Sequence, residues 1–191
     1  MRNRVSKSSN PKVRGIALSA AAMTLILSVL AAAFLFHGSR GYLVLENFKT
    51  GEIYQRFPMK IGDTFSIGFI HSVNKSPVTD FYEIRKDGIY VVKTVYYGFG
   101  AGVQTELGEG QTLTYGEDGS MIITGFEQKM DNLVYFVGTV SDHTLTLYEK
   151  NRNTPSDVPP PSGISAEKKQ EISLRSLCGK SAMVRFSFTE S

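Results

Sequence analysis

The sequence of 191 residues contains one cysteine, Cys178, so no disulfide bond can form within the chain. A folded part of roughly 150 residues does not need one, because about 70% of the surface of an unfolded chain of that size can be buried. Cys178 lies among apolar residues just before a strand-like run. We therefore expect it to be a small buried hydrophobic residue.

Excess positive charge is absent outside the first fourteen residues. Residues 1–14 contain five basic residues and no acidic one, which leaves 21 − 5 = 16 basic and 18 acidic residues in the rest of the chain. A nucleic-acid-binding protein would concentrate positive charge in its folded part. The charge distribution therefore predicts no nucleic-acid partner.

Long uncharged runs are also absent, with one exception of 22 residues at positions 15–36. As a helix this run would reach roughly 33 Å, enough to cross the hydrocarbon core of the lipid bilayer. The basic residues before it predict a cytoplasmic N-terminus. We expect a basic cytoplasmic tail over residues 1–14, a single transmembrane anchor over 15–37 and an extracytoplasmic domain over 38–191. Three alanines at positions 31–33 leave a cleaved signal peptide open as the alternative.

No helix-length segment separates the apolar runs after residue 41, which disfavours a parallel α/β fold. Short alternating runs instead flank turn residues such as Asp87-Gly88 and Asp118-Gly119, a pattern typical of antiparallel hairpins. The sequence therefore predicts an all-β fold, either an antiparallel β-sandwich or a partly open barrel, with one short helix. The predicted strands are Tyr42–Glu46, Glu52–Phe57, Thr64–His71, Phe81–Lys86, Ile89–Tyr97, Gln111–Tyr115, Met121–Thr124, Leu133–Gly138, Thr144–Tyr148 and Ala182–Phe188.

The second half of the chain gives three more specific expectations. Leu133–Gly138 and Thr144–Tyr148 are predicted to form a hairpin around Ser141-Asp142. Ala166–Cys178 is predicted to be helical, with Ser165 as N-cap and Gly179 as the residue that ends it. The proline-rich stretch at residues 151–163 is predicted to be a surface loop within the same domain.

An unusually polar stretch, HSVNKSPVTDFYE at residues 71–83, joins two of the apolar strands. Loops held by a rigid sheet commonly carry binding groups. A second stretch, GFGAG at residues 98–102, has alternating glycines that permit close approach of another group. The candidates for recognition of a ligand or a partner are His71, Ser72, Asn74, Asp80, Glu83, Gly100 and Gly102. The first stretch also fits a purely structural turn, and that interpretation stays open.

Motifs that would indicate catalysis are missing. Ser72 and His71 are neighbours on an extended chain and would point to opposite faces, and the sequence contains no Gly-x-Ser-x-Gly. A metal site would have to use His71, His143, Asp80 and Glu83, which have no recognised ligand spacing. The glycine-rich stretch is not followed by a helix, as a dinucleotide site requires. We therefore predict no catalytic residues, no bound metal and no cofactor.

The stretches FIHSVNKSPVTDFYEI and FGAG resemble an uncharacterised bacterial family, a domain of unknown function whose genes often lie beside TRAP transporters of the TAXI type. The resemblance extends from about Tyr42 to Phe188, and the family has no established activity. It implies an accessory role in solute uptake, with transporter subunits or their solute-binding protein as partners. We accordingly expect a non-enzymatic membrane-anchored accessory protein. The alternative is an extracytoplasmic module that binds a small ligand or a metal and acts as a sensor.

Overall fold

The computed structural model describes Met23 and residues 40–73, 75–98, 106–139, 141–150 and 166–191. The chain divides into two compact units, Met1–Gly38 and Ser39–Ser191. Apart from Met23, the predicted tail and membrane anchor lie outside the described residues. No helix in the described part of the chain has both the length and the apolar character needed to span a membrane.

The described residues of the second unit form eleven strands and one helix of five residues. In chain order they are β1 Arg40–Asn47, β2 Ile53–Lys60, β3 Thr64–Ile70, β4 Pro77–Arg85, β5 Gly88–Tyr96, β6 Thr112–Tyr115, β7 Met121–Lys129, β8 Leu133–Phe136, β9 Thr144–Lys150, β10 Ala166–Ser173, α1 Leu174–Cys178 and β11 Met183–Glu190.

The strands form two antiparallel sheets. The four-stranded sheet has the order β2-β1-β11-β8, and the seven-stranded sheet has the order β10-β9-β3-β4-β5-β7-β6. The hairpins β4–β5 and β6–β7 form at the predicted Asp-Gly turns, and β1–β2 is a further hairpin. Their turns contain Gly51, Gly88 and Gly119, and each of these glycines has a positive φ.

The two sheets share one hydrophobic core. The four-stranded sheet contributes Leu43, Leu45 and Phe186, and the seven-stranded sheet packs against them with residues that include Phe65 and Ile67. All five side chains are at most 3% exposed. The described strands form two separate sheets and no closed barrel, so the prediction of an all-β, sandwich-like fold is confirmed.

The predicted hairpin between Leu133–Gly138 and Thr144–Tyr148 is wrong. β8 pairs with β11 in the four-stranded sheet, whereas β9 lies between β3 and β10 in the seven-stranded sheet. The connecting segment changes sheet, and Val137 is fully buried where it exchanges backbone hydrogen bonds with residues 181 and 182. Two alternating runs that face one core from opposite sheets have the same sequence pattern as two paired strands.

The predicted helix Ala166–Cys178 is wrong over its first eight residues, which form strand β10. Pairing with β9 overrides the local preference of a polar, lysine- and glutamate-rich stretch for helix. Only α1 is helical, and its N-cap is Ser173, whose side chain accepts a hydrogen bond from the backbone of Ser176. Gly179 is the C-cap, as the sequence predicts. Cys178 is half-buried and packs against the main core.

Candidate functional site

Only residues 71–76 of the polar stretch form the connection of the β3–β4 hairpin, whereas residues 77–83 belong to β4. His71 closes the turn. The backbone N–H of His71 donates to the carbonyl oxygen of Ser76 (2.9 Å), and that of Lys75 donates to the carbonyl oxygen of His71 (3.0 Å). The imidazole Nδ1 of His71 accepts from the backbone N–H of Val73 (3.3 Å). Ser72 and Val73 are exposed. Both the backbone and the ring of His71 therefore hold the turn.

The two acidic candidates lie on opposite faces of the seven-stranded sheet. Asp80 pairs with Ile67 and shares the inner face with it, whereas Glu83 pairs with Thr64 on the outer face. Glu83 accepts a hydrogen bond from the guanidinium of Arg85 at 2.8 Å, in a partly exposed ion pair. His71, Asp80 and Glu83 are therefore not brought together in one pocket. The other candidates, Asn74, Gly100 and Gly102, lie outside the described residues.

Asp80 belongs to a hydrogen-bonded network between the sheets. Its Oδ1 accepts from the hydroxyl of Thr94 (2.8 Å), and its Oδ2 accepts from the phenol of Tyr135 (3.0 Å). The hydroxyls of Tyr135 and Tyr82 are 2.6 Å apart. Each carboxylate oxygen thus has a donor, which a buried carboxylate requires.

A β-bulge between Val91 and Lys93 makes this network possible. The pairing of β4 with β5 shifts at the same level, so Thr94 lies opposite Asp80 and Lys93 lies opposite Phe81. Without the extra residue, strict alternation from Val91 would place Lys93 on the inner face and Thr94 outside. The ammonium of Lys93 instead lies 4.1 Å from the ring centroid of Phe81. In the sequence, the bulge is indicated by Lys93, because strict alternation in β5 predicts an apolar residue at this position.

Burial dominates the electrostatics of the network. It raises the pKa of Asp80 above its ordinary value, although the hydrogen bonds from Thr94 and Tyr135 oppose this shift. Burial also raises the pKa of Tyr82 and of Tyr135, and the nearby charge of Asp80 raises both further. The two phenols therefore stay protonated at neutral pH and remain donors.

His143 lies beside this network and is buried. Its ring stacks on Phe69 at 5.1 Å and meets Tyr135 edge-on at 5.8 Å. Burial lowers the pKa of His143, so the imidazole is neutral at physiological pH. Its Nδ1 has no hydrogen-bond partner among the described residues. Aromatic contacts with Phe69 and Tyr135 hold this ring.

A groove of about 430 Å³ crosses the outer face of the seven-stranded sheet beside the β3–β4 hairpin. This volume lies within the range of about 300–1,000 Å³ that is typical of small-molecule sites. Hydroxyl-bearing and apolar side chains from β3, β4 and β9 line most of it. The lining residues are Ser66, Gly68, Phe69, Ile70, Pro77, Val78, Thr79, Phe81, Asp142, Thr144, Thr146, Tyr148 and Glu171.

The sequence singled out Asp80 but not its partners Tyr82, Thr94 and Tyr135. The alternation of β4 partly indicates that Asp80 faces the core, because Asp80 lies between Val78 and Tyr82 on the apolar side of the strand. The hydroxyl residues of the groove were not predicted either. Within the described part of the chain, no group of three or more His, Cys, Asp or Glu side chains is arranged to hold a metal ion.

Comparison with known proteins shows a similarity to one family over part of this domain. The β-sandwich contains a domain that matches the family described as Domain of unknown function (DUF1850), over residues 65–153. The match begins in β3 and includes the β3–β4 hairpin, Asp80 and Tyr135. Residues 65–153 are therefore similar to an uncharacterised family of unknown function, which agrees with the resemblance seen in the sequence. No curated protein and no solved structure matches the chain.

Proposed function

We propose that the chain is a non-enzymatic, single-pass membrane protein whose extracytoplasmic β domain assists a TRAP-type solute transport system. Its partner is a transporter subunit or the solute-binding protein of that system. The uncharged run at residues 15–36 and the basic tail before it support the anchor. The family resemblance supports the association with transport.

The observation that carries the partner role is the apolar end of the β3–β4 hairpin. Ile70 is 45% exposed and Val73 is 66% exposed, and Pro77 is exposed beside them. The turn is held by the hydrogen bonds of His71, so these side chains are presented on a defined backbone. Exposed apolar groups surrounded by polar residues are typical of protein interaction sites.

Site-specific photo-crosslinking of the full chain in native membranes tests this proposal. A photoreactive residue replaces Val73, and the same residue replaces Tyr115 as the control, because Tyr115 is 68% exposed on β6 outside the hairpin. We expect a covalent adduct with a TRAP-type subunit or its solute-binding protein from position 73 and none from position 115. Absence of that adduct, or equal adducts from both positions, would contradict the proposal.

The second candidate function is a small-ligand-binding module that acts as an extracytoplasmic sensor. The groove on the outer face favours it, since a concave site with convergent polar groups is the usual form of a ligand site. The two candidates are distinguished by the crosslinking experiment, because a sensor acting alone would give no adduct with the transport system from position 73.

A further inference from the structure

We infer that the outer-face groove binds a small, uncharged, polyhydroxylated solute of the sugar or polyol class. This inference goes beyond the proposed partnership and does not depend on it, because the groove and the exposed hairpin end are tested by different measurements. It rests on the open floor of the groove, on its hydroxyl lining, on its aromatic wall and on its charge.

Gly68 keeps the floor of the groove open. It lies inside β3, between Thr144 on β9 and Thr79 on β4. A Cβ atom at this position would be 3.4 Å from the hydroxyl of Thr79, an ordinary contact, so packing does not require glycine here. A glycine inside a strand weakens the strand and often marks a place where a ligand approaches the backbone.

Hydroxyl groups surround this floor. The partly exposed Thr79 and Thr144 flank Gly68, and the next row of the sheet contributes Ser66 and Thr146, which are buried. Serine and threonine hydroxyls donate and accept hydrogen bonds, and they rotate to suit the partner. A ligand that itself carries several hydroxyls, each both donor and acceptor, complements such a lining.

An aromatic wall completes the groove on one side. The rings of Phe81 and Tyr148 lie 6.0 Å apart across β3. The hydroxyls of Tyr148 and Ser66 are 3.3 Å apart, which places the polar end of this wall next to the hydroxyl row. Aromatic side chains combine a large apolar face with, in tyrosine, a polar group. A cyclic polyol complements both features, because its C–H face can pack on the aromatic rings while its hydroxyls bond to polar groups.

The charge of the groove lining disfavours anionic ligands. Among the described lining residues, Asp142 and Glu171 are the charged ones, and both are acidic. They repel a carboxylate or phosphate ligand. The two oxygens of Asp142 already accept from the hydroxyl of Ser173 (2.5 Å) and the backbone N–H of Arg175 (3.0 Å), so Asp142 is engaged at the start of α1 rather than open to an ammonium group.

The test measures ligand binding to the full chain by saturation-transfer NMR and calorimetry. The protein is purified in a zwitterionic detergent, since detergents with sugar head groups would compete for the groove. The probes are D-glucose, D-galactose, D-xylose and erythritol, with succinate and putrescine as the anionic and cationic counterparts. We expect at least one polyhydroxylated probe to bind with a Kd of about 1 mM or tighter, and neither charged probe to bind as well.

Two groove variants and one control localise the binding. Gly68→Val fills the floor and should abolish binding, whereas Thr144→Val removes one hydroxyl beside the floor and should raise Kd roughly 2- to 10-fold. Thr114→Val makes the same change on exposed β6 and should leave Kd unchanged. Melting temperatures verify that each variant is folded. Binding of succinate or putrescine in preference to all four polyols would overturn the inference. So would the absence of any polyol binding, or an unchanged Kd in folded Gly68→Val or Thr144→Val protein.

Discussion

The phenol of Tyr135, on β8 of the four-stranded sheet, donates a 3.0 Å hydrogen bond to the carboxylate of Asp80, on β4 of the seven-stranded sheet. This bond crosses the sandwich and joins the two sheets through polar groups. Both ends are supported, since Asp80 also accepts from Thr94 and Tyr135 also contacts the hydroxyl of Tyr82. The network therefore fixes the relative register of the two sheets at one point.

Tyr135→Phe should destabilise the domain. The change leaves a buried carboxylate with one donor fewer, which typically costs about 1–3 kcal/mol of unfolding free energy and lowers the melting temperature by several degrees. Thermal unfolding followed by circular dichroism measures the effect. Tyr115→Phe is the control, because that phenol is on the exposed β6. An equal melting temperature for wild type and Tyr135→Phe would contradict a stabilising role for the bond.

Because the pKa of Asp80 is raised in the folded protein, the stability that Asp80 contributes to the domain should fall as the pH rises. Because the folded pKa lies above the ordinary value of 3.8, the folded protein binds this proton more tightly than the unfolded chain. The stability that Asp80 contributes is thus complete below about pH 3.8 and is lost as pH rises through the folded pKa.

Asp80→Asn removes this titration. The melting temperature of Asp80→Asn minus that of the wild type should therefore be more positive at about pH 7.5 than at about pH 3.5. Thermal unfolding of both proteins in matched buffers gives this difference. A difference that is constant between the two pH values would show that Asp80 has the same pKa in the folded and unfolded chains.

A comparison of Gly125 with Gly51 separates the cost of a left-handed backbone from the cost of steric overlap. Both have a positive φ, +81° and +72°, but a Cβ at Gly125 would overlap the carbonyl oxygen of Gly110, whereas a Cβ at Gly51 meets nothing within 4 Å. Gly51→Ala should cost about 1–2 kcal/mol from the left-handed backbone alone. Gly125→Ala should cost roughly 1–3 kcal/mol more from overlap. Chemical denaturation measures the free energy of unfolding of both variants. Equal losses of this free energy would argue against close packing of residue 110 on β7.

Cys178 should be almost inert towards alkylating reagents in the folded protein. Burial raises the pKa of its thiol to about 11, so at about pH 8 roughly one molecule in a thousand carries the reactive thiolate. Mass spectrometry after brief exposure to iodoacetamide should find little modification, and full modification in denaturant. Rapid labelling of the folded chain would mean that the thiol is accessible and ionised.

Local chemistry explains which parts of the fold could be predicted from the sequence. The Asp87-Gly88 and Asp118-Gly119 turns determine their hairpins through backbone preferences of a few adjacent residues. The pairing of β8 with β11 depends instead on residues about fifty positions apart. The same holds for β10, where pairing with β9 overrides a helix-like composition. Local patterns carry no information on such partners.

The site was predictable to a similar extent. The polar density of residues 71–83 identified Asp80, but its donors come from a bulged neighbouring strand and from the opposite sheet. The groove depends on β9, which is distant in the sequence and pairs with the β3–β4 hairpin only in the folded sheet. Glu83, next to Asp80 in the candidate set, pairs with Arg85 on the other face of the sheet. Closeness in the sequence therefore wrongly suggested that Asp80 and Glu83 belong to one site.

Solute uptake by cells that carry Val73→Glu tests the proposed transport role most directly. Val73 is 66% exposed, so a charge at this position should leave the melting temperature unchanged while disrupting an apolar contact with a partner. Tyr115→Glu is the matched control at a position that is 68% exposed. We expect uptake through the proposed TRAP-type partner system to be lost with Val73→Glu and retained with Tyr115→Glu. Normal uptake with the Val73→Glu protein, expressed at the wild-type level, would contradict a role of this hairpin in transport.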